Sequence, residues 1–585
     1  MNLNNKWTAL IIFAIISLAV FFPIFSNISY WGQGDWDQHF FYNEVPRQTI
    51  LDFHEIPLWD PAQCGGNVLL AHPESVWLSP FFIFVLIFGT VLGLKIQILL
   101  HMILGMFGMF LLSKHLKIKT ISCYIPPIIF MLSSWFMLHL FVGHTLYLTM
   151  VYLPFALLFF LKSFEKPKLI IFSAIALVLM FFGGGTYPFV FAILFMAIFS
   201  LFSSIKDKEL VPIKRIAIII VLTLLLGAVK FIPSYFFIGE NSYPLDDSQP
   251  VSFSTLATGL FSRDQDIKDS REFYSEFIVP HREYQQGSLK EIFLEITTVW
   301  NWHEYSGYIG IISFILFLVS LLLIKRDWEW FAVTAVFFIL YFGQKGILYS
   351  ILNKFPVFSS LHGSSRFIII IVFCISILAG KAASFIEESK LKQRKIIMIV
   401  AAFIILIDLA TIIFPYSAAM FSIEPDPIVH SDSFYHAYLA DQYTDQYENF
   451  LEGKGSINCY ERMHLPYAAS PLFYKNGTFY EKYKGEFYLL GNKGIIAPEY
   501  FSLNKIKIRA DIKQDDLLII NQNYEKGWKA KGKEVINYKG LIAVGVTPND
   551  KEIYLHYFPN SFIAGFLVSI ITIVVCIYLL RKRFT

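Results

Sequence analysis

The sequence has few of the residue patterns that mark metal, disulfide or nucleic-acid-binding proteins. Its five cysteines form no Cys-x-x-Cys motif and no regular series, so they indicate neither a zinc site nor a disulfide framework. The 48 basic and 45 acidic side chains leave a formal charge of only +3, which does not suggest a nucleic-acid partner. No segment recurs at a period of about 20–50 residues, which excludes a repeat array.

Three of the five cysteines fall in apolar runs, and the other two are Cys64 and Cys459. A disulfide between these two requires that both lie outside the cell. The sequence contains nothing else that links them, and we expect two unrelated thiols.

Apolar residues dominate the chain. They make up 55% of its 585 residues, and the mean hydropathy is +0.54. A soluble protein of this composition would aggregate, so a lipid bilayer is the expected solvent. A bilayer core needs about 20 apolar residues per helix. By that criterion we predict about twelve spans, at residues 7–26, 95–112, 121–139, 145–162, 168–183, 187–204, 214–232, 306–324, 328–342, 366–386, 396–415 and 561–580.

Two apolar runs lead to further predictions. The first run follows Lys6 and has no Ala-x-Ala-like cleavage site after it, so we predict an uncleaved span. The run 79–93 is too short to cross alone and is predicted to be a surface or re-entrant helix.

Basic residues set the predicted orientation, because Lys and Arg concentrate in cytoplasmic loops. With Lys6 inside, every even-numbered span ends in a basic flank. We therefore predict a multi-pass protein of the cytoplasmic (inner) membrane with both termini in the cytoplasm. The flanks are SKHLKIKT (113–120), KSFEKPK (162–168), KDKELVPIKR (206–215), KRD (325–327), KLKQRK (390–395) and RKR (581–583).

Three polar segments then lie outside. We predict a mainly helical transmembrane domain, 1–415, with large outer loops at 27–94 and 233–305. An extracytoplasmic domain, 416–559, is predicted to be β-rich in its second half, and 560–585 forms a final helix and a basic tail. The β prediction rests on short runs separated by Gly, Asn, Asp and Pro, namely Asn504–Ile512, Asp516–Tyr524, Lys539–Val546 and Lys551–Phe558.

The first outer loop contains the strongest chemical signal, the sequence WGQGDWDQHFFYNEVPRQ (31–48). Asp35 and Asp37 lie among aromatic residues of the kind that seat at the bilayer interface. A carboxylate there can act as a general base on an acceptor hydroxyl next to a lipid-linked phosphate. Alternatively, the Asp-x-Asp pair can hold a divalent cation. No other cofactor is indicated.

The same loop continues as EIPLWDPAQCGGNVLLAHPESVWLSP (55–80). Its four prolines break helices, and Gly65 and Gly66 permit tight backbone turns. We predict a structured re-entrant loop anchored by Trp59.

The motifs GDWDQ, IPLWDP and GGNVLLAHPES closely resemble the first loop of bacterial YfhO-like membrane proteins, a family of the GT-C class of polytopic glycosyltransferases. Further segments resemble the same family in the same order. They are GHTLYLTMVYLPFALL (143–158), YIGIISFILFL (308–318), FPVFSSLHGSSRF (355–367) and NYEKGWKAKGKEV (523–535) with YLHYFPNSFIAG (554–565).

The resemblance implies transfer of a sugar from a polyprenyl-phosphate carrier on the outer face. It assigns the essential acid to Asp35, with Asp37 second. The sequence departs from the family at two points. GWKAKGKEV lacks the Asp-Gly that usually follows Gly-Trp-x-Ala, and His362 stands where the family often has Arg. The second departure weakens the prediction of phosphate binding at that loop.

We predict that the substrate-binding surface combines loop residues with the outer ends of spans. Arg366 opens a span, and its fork of donors matches phosphate oxygens; the alternative is an interfacial anchor that snorkels. The full predicted set is Arg366, His362, His144, Trp59, Gly65, Gly66, Glu74 and Lys230. Snorkelling explains Lys230 as well as function does.

Three functions compete at this stage. The first is a glycosyltransferase that moves a sugar from a polyprenyl-phosphate donor to a saccharide, lipid or protein acceptor of the envelope, with inversion. The second is a transporter or flippase of lipid-linked saccharide, which would place ionisable residues and broken helices near the bilayer midplane. The third is a non-catalytic scaffold for envelope assembly. Membrane lipids are partners in all three.

Overall fold

The chain is a mainly helical, multi-pass membrane protein with a β-rich domain near its C-terminus. The computed structural model describes residues 5–241, 251–263, 302–343, 347–359, 361, 363–438, 445–459, 463–472 and 483–581. The α-helices in these ranges are α1 (Lys6–Phe21), α2 (Trp36–Leu51), α3 (Phe82–Phe88), α4 (Thr90–His115), α5 (Ile125–Leu132), α6 (Ser134–Phe141), α7 (Leu153–Lys162), α8 (Ile170–Phe182), α9 (Thr186–Asp207), α10 (Val211–Leu226), α11 (Ala228–Asn241), α12 (Phe253–Phe261), α13 (Ile311–Ser320), α14 (Trp328–Tyr341), α15 (Ile347–Leu352), α16 (Pro356–Ser359), α17 (Ile368–Glu388), α18 (Arg394–Ala419), α19 (Gln446–Leu451) and α20 (Asn560–Arg581).

Each predicted apolar run coincides with helical structure. Within the described ranges, eight helical segments are long and apolar enough to cross a bilayer, and α10 with α11 makes a ninth that bends by 86°. Three further apolar segments are shorter, at Pro167–Phe182, Ile311–Leu323 and Trp328–Tyr341. The predicted short helix 79–93 is only half correct. Gly89, with φ +79°, ends α3 and lets α4 begin at Thr90, so residues 90–93 belong to a full-length span.

Burial separates central from peripheral spans. An 18-residue apolar stretch in each of Ser122–Phe141 and Ser364–Glu388 is completely buried in the bundle, whereas the equivalent stretches of Arg394–Ala419 and Asn560–Arg581 are only 22% buried. Close packing drives helix association in lipid, because lipid tails are as apolar as the side chains. Gly380 of α17 shows this packing, since a Cβ there would lie 2.4 Å from the Pro126 ring of α5. These two central spans therefore form the rigid core of the bundle.

The basic flanks of the spans meet at one end of the bundle. Lys206 donates 2.7 Å to Glu329 and 3.1 Å to the carbonyl of Arg326. Lys168 donates to the Leu580 carbonyl at 3.2 Å, and Lys119 pairs with Glu388 at 3.0 Å. The loops that charge predicts to be cytoplasmic thus share one end. The first loop and the β domain lie at the other, which we call the site end.

The β domain is a sandwich of two antiparallel four-stranded sheets, with strand orders β12-β13-β10-β7 and β11-β14-β9-β8. In β9 the side chains of Ile506, Ile508, Ala510 and Ile512 are buried in turn, as the alternating sequence predicts. The four predicted strands are present. The strands are β7 (Phe487–Leu489), β8 (Gly494–Phe501), β9 (Lys505–Ile512), β10 (Asp516–Asn523), β11 (Trp528–Ala530), β12 (Val535–Tyr538), β13 (Leu541–Val546) and β14 (Glu552–Tyr557).

Six shorter strands tie distant parts of the site end together. β1 pairs with β4, and therefore joins the start of the first loop to the chain after α18. β2 pairs with β3 as a small hairpin inside the first loop, and β5 pairs with β6 within the C-terminal domain. They are β1 (Trp31–Gly32), β2 (Trp59–Asp60), β3 (Asn67–Val68), β4 (Phe421–Ile423), β5 (Tyr435–Ala437) and β6 (Lys454–Ser456).

The first loop is built into the C-terminal domain. The Asn504 side chain accepts from the backbone N–H of Trp59 at 2.9 Å and donates to the Ile56 carbonyl at 2.7 Å. Asn523 donates to the carbonyls of Cys64 and Gly66 at 2.7 and 3.0 Å. The loop is structured, as predicted, but its partners lie more than 400 residues further along the sequence.

A disulfide joins Cys64 to Cys459, with Cα atoms 5.3 Å apart. The expectation of two unrelated thiols was wrong. The bond links residues 395 positions apart, and their closeness depends on the docking of the first loop against the C-terminal domain, which cysteine spacing does not encode.

We expect Cys64→Ser to lower the free energy of unfolding by about 2–5 kcal/mol, because the disulfide restricts the unfolded chain. Thermal unfolding of the detergent-solubilised protein, with and without reductant, measures the effect. Cys576→Ser, at a free cysteine, is the control. The pairing would be contradicted if reductant did not change the stability of the wild type and thiol alkylation labelled Cys64.

Candidate functional site

Backbone contacts fix Asp35 against the end of α6. Its N–H donates to the Val142 carbonyl at 2.9 Å, and the Trp36 indole donates to the Leu140 carbonyl at 2.9 Å. Gly143 permits this contact. Its φ is +105°, and a Cβ there would lie 2.3 Å from the backbone nitrogen of Trp36. A glycine in the left-handed region therefore sets the position of Asp35.

Asp35 begins a chain of hydrogen bonds through two histidines. Its Oδ2 lies 2.9 Å from His144 Nε2, and His144 Nδ1 lies 2.9 Å from His139 Nδ1. An ionised carboxylate only accepts, so His144 Nε2 carries a proton. A proton therefore lies between the two Nδ1 atoms, and the other ring nitrogen of His139, Nε2, is outside this series of hydrogen bonds. That buried nitrogen has no hydrogen-bond partner within the described part of the chain.

Arg366 lies in the same region but is held by Glu304. Arg366 Nε donates to Glu304 Oε2 at 2.7 Å, and Nη2 donates to Oε1 at 2.5 Å. The guanidinium also lies 4.4 Å from the centre of the Tyr187 ring. The sequence predicts that the fork of donors on Arg366 binds phosphate, but a bidentate carboxylate already occupies two of those donors.

Aromatic rings connect the two halves of this site. His303 lies edge-on to His144 and His139, with ring centres 5.2 and 5.7 Å apart, and its Nε2 is 3.5 Å from Glu304. Tyr147 stacks on His139 at 4.1 Å. We call the group Asp35, His139, His144, Tyr147, Tyr187, His303, Glu304 and Arg366 the rim cluster.

Electrostatics keep both carboxyl groups of the rim cluster ionised. Burial opposes ionisation of Asp35, but the hydrogen bond and the electrostatic attraction from His144 lower its pKa. Burial likewise opposes ionisation of Glu304, and the Arg366 guanidinium nevertheless holds its pKa well below the usual range. Burial lowers the pKa of His303, which favours a neutral imidazole.

Three residues of the rim cluster have the donor set of a metal site. His139, His144 and Glu304 can each offer one ligand atom, and these atoms lie within 4.8 Å of one another. Asp35 binds the far side of the His144 ring, as carboxylates do when they orient metal-binding imidazoles. Two nitrogens and one oxygen suit a first-row ion such as Zn²⁺ or Mn²⁺ better than Mg²⁺.

Asp37 is turned away from Asp35. Its carboxylate accepts from the backbone N–H of Gln446 at 2.9 Å and of Tyr447 at 3.1 Å, at the start of α19. Burial raises its pKa to about 7, against the opposing effect of those two N–H donors. The two aspartates therefore do not form the predicted cation pair, and the geometry gives Asp37 a structural role.

Three predicted substrate contacts lie inside the interface between the first loop and the β domain. The Trp59 ring packs against Trp528 and Tyr557, with ring centres 5.5 and 4.9 Å away, and its indole donates to Gln522 at 2.8 Å. Gly65 and Gly66 have φ values of +79° and +103° and are buried. All three are inaccessible to a sugar because the C-terminal domain covers them.

The Lys230 ammonium is fully buried among backbone carbonyls. It donates to Pro73, Ser75 and Phe181 at 2.8, 2.6 and 2.8 Å. Since its hydrogens are all used, Lys230 holds the 73–75 turn rather than binding substrate. Glu74 lies half-buried in that turn, and its carbonyl packs against Gly184. His362 lies outside the described residues.

Five residues of the rim cluster were not predicted from the sequence, namely His139, Tyr147, Tyr187, His303 and Glu304. The signal for the last two was available, because they directly precede an apolar run in the same way that Arg366 opens one. His139, by contrast, ends an apolar run and resembles an ordinary interfacial histidine. Its role depends on the fold of the 139–144 turn, which brings it to His144.

No protein-family model matches the sequence, and no curated protein matches it. The resemblance to the YfhO-like family therefore stays a prediction. Among solved structures, the arabinofuranosyltransferase AftD from Mycobacteria has a TM-score of 0.44 at 15% identity over 71% of this chain. This chain spans 27% of AftD.

Two further neighbours are more distant in sequence. The oligosaccharyltransferase AglB from Archaeoglobus fulgidus, solved with a peptide and a dolichol-phosphate, has a TM-score of 0.41 at 12% identity, covering 78% of this chain and 64% of AglB. ArnT from Cupriavidus metallidurans, bound to undecaprenyl phosphate, has a TM-score of 0.37 at 11% identity, covering 78% and 87%. Likeness at this level does not establish a shared activity.

Arg366→Gln should destabilise the protein by about 3–5 kcal/mol, because it leaves the buried Glu304 carboxylate without the guanidinium charge. Glu304→Gln in the same chain should restore most of that loss, since the uncompensated charge is then removed. Thermal unfolding of the single and double variants measures both effects. Additive losses in the double variant would contradict the pairing.

Asp37 makes the stability depend on pH. A carboxyl group with a pKa near 3.8 when unfolded and about 7 when folded binds its proton more tightly in the folded state. Its contribution to stability therefore falls as the pH rises from about 4 to about 7. Asp37→Asn should flatten this part of the profile of melting temperature against pH. An unchanged slope would contradict the assignment.

Proposed function

We propose that the protein is a membrane glycosyltransferase that moves a sugar from a polyprenyl-phosphate donor to an envelope acceptor on the outer face, with inversion. The observation that carries the proposal is the rim cluster. It places an ionised, partly exposed carboxylate and a fixed guanidinium together at one end of the bundle. The sequence resemblance assigns the essential acid to the same Asp35.

Asp35 is suited to act on an acceptor hydroxyl. His144 binds its Oδ2, which orients the carboxylate and leaves Oδ1 as the atom that can accept a proton. Its side chain is 19% exposed, so an acceptor can approach it. In the proposed step the acceptor oxygen attacks the anomeric carbon, its proton passes to Asp35, and the bond from carbon to phosphate oxygen breaks with both electrons going to the phosphate.

Arg366 is suited to stabilise the leaving phosphate from a fixed position. Glu304 and the Tyr187 ring hold the guanidinium, while the donors that Glu304 does not use have no partner among the described residues and can bind phosphate oxygens. A bound divalent ion at His139, His144 and Glu304 would supply further positive charge there. His303, neutral and adjacent, contributes a polar wall to the same site.

The position of the rim cluster favours transfer over transport. His139 and Arg366 lie at the ends of their helical segments, whereas a transporter is expected to hold its polar groups near the bilayer midplane. A scaffold would not require buried ionised groups at one point. The bend between α10 and α11 is a broken helix of the kind expected in a transporter, but Lys230 beside it binds carbonyls of the first loop, at the site end rather than at the midplane.

The proposal is tested with purified protein and a panel of polyprenyl-phosphate-linked sugars, by measuring released polyprenyl phosphate. Asp35→Asn should lower turnover by about 10²–10⁴-fold with little change in stability, because it removes the base while keeping the side-chain shape. Asp52→Asn, at an exposed aspartate of the same loop, is the matched control. If the Asp35→Asn variant turned over substrate at the wild-type rate, Asp35 would not be part of the mechanism.

A further inference from the structure

A second surface feature lies away from the rim cluster, on the lipid-facing side of the bundle. It is an apolar groove of about 640 Å³ between the start of α8, residues 217–225 of α10 and the second half of α20. Sites that hold small molecules usually have volumes of about 300–1,000 Å³. The groove is therefore large enough to hold a molecule, and it is not a packing defect.

Two helices present continuous apolar stripes to the groove. On α10 the lining residues run from Ala217 to Leu225 at positions i, i+1, i+4, i+5 and i+8, and on α20 they run from Ile571 to Leu579 with the same spacing. Each stripe is about 12 Å long at 1.5 Å per residue. A slot of this length and chemistry fits the first half of a hydrocarbon chain.

Positive charge collects where α8 and α10 begin and α20 ends. Lys168 is the charged residue of the lining, and its Nζ bonds the Leu580 carbonyl across the mouth. Lys214 is exposed one helical turn before Ala217, on the same face of α10, and the exposed Arg581 ends α20. Basic pockets between membrane helices on the cytoplasmic side typically bind anionic lipid head groups.

We propose that this groove is a binding site for an anionic diacyl phospholipid. One acyl chain lies between α10 and α20, and the phosphate lies beside Lys168. The groove is at the basic end of the bundle, opposite the rim cluster, so the site is distinct from that of the proposed sugar donor. It stands whether or not the protein transfers sugars.

The test is native mass spectrometry of the purified protein, titrated with phosphatidylglycerol and with zwitterionic phosphatidylcholine. We expect phosphatidylglycerol to bind at least about tenfold more tightly, a difference of about 1.4 kcal/mol. Lys168→Ala should abolish this preference because it removes the charge at the mouth. Ile218→Trp should abolish tight binding of both lipids because the indole fills the slot.

Ile399→Trp is the matched control, since Ile399 on α18 is 51% exposed and Ile218 is 50% exposed. It should leave the binding of both lipids unchanged. Equal binding of phosphatidylglycerol by the wild type, Lys168→Ala and Ile218→Trp would overturn the proposal. Displacement of phosphatidylglycerol by equimolar undecaprenyl phosphate would also overturn it, because a polyprenyl lipid would then be the occupant.

Discussion

Charges removed from water must be neutralised by partners close at hand, and this requirement organises the site end of the protein. Glu304 neutralises Arg366, and His144 binds Asp35. Backbone carbonyls stabilise buried ammonium groups in the same way. Lys230 has three such partners, and Lys95 has three more in the turn after the first helix, at Asn27, Ile28 and Tyr30. Each pairing fixes a piece of irregular chain that apolar packing alone would leave undefined.

The two buried lysines show how a membrane helix can control a loop. Lys95, on α4, donates to backbone carbonyls just before Asp35 in the sequence. Lys230, near the bend between α10 and α11, donates to backbone carbonyls of the turn at residues 73–75. Both side chains look like ordinary snorkelling lysines in the sequence, since each lies near the end of an apolar run. In the structure both are completely buried. Their ammonium groups connect the helical bundle to the loop that contains Asp35.

The apolar runs and the strand alternation were readable from the sequence because they follow from local periodicity. Each predicted span contains a helix, and β9, β10, β13 and β14 were predicted to within a few residues. What the sequence did not provide was the contact between the first loop and the C-terminal domain. Trp59, Gly65 and Gly66 looked like substrate contacts because they lie in a polar loop with an aromatic residue and a tight turn. They are instead covered by residues such as Trp528 and Asn523. No local sequence pattern predicts a contact with residues so far along the chain.

The same limit applied to the rim cluster. Asp35 and Arg366 could be named individually, since each is an ionisable residue at the end of a span. In the structure they are connected by contacts through His144, His303 and Glu304, which are not adjacent to either residue in the sequence. Asp37 illustrates the reverse case. Spacing made it the natural second member of a cation pair, but the α-helical geometry of α2 turns it toward the start of α19 instead.

The docking of the first loop onto the C-terminal domain also has a consequence for biosynthesis. Gln33 bonds Ser422, Asp37 bonds Gln446, and Cys64 is joined to Cys459, so the segment around Asp35 meets these partners only after nearly 400 further residues have left the ribosome. Until then Cys64 has no disulfide partner, and the backbone N–H groups that bind the Asp37 carboxylate are absent. The polypeptide must therefore be synthesised almost to its last helix before these contacts of the first loop can form. A chain truncated before Phe421 would contain every residue of the rim cluster but none of these C-terminal partners.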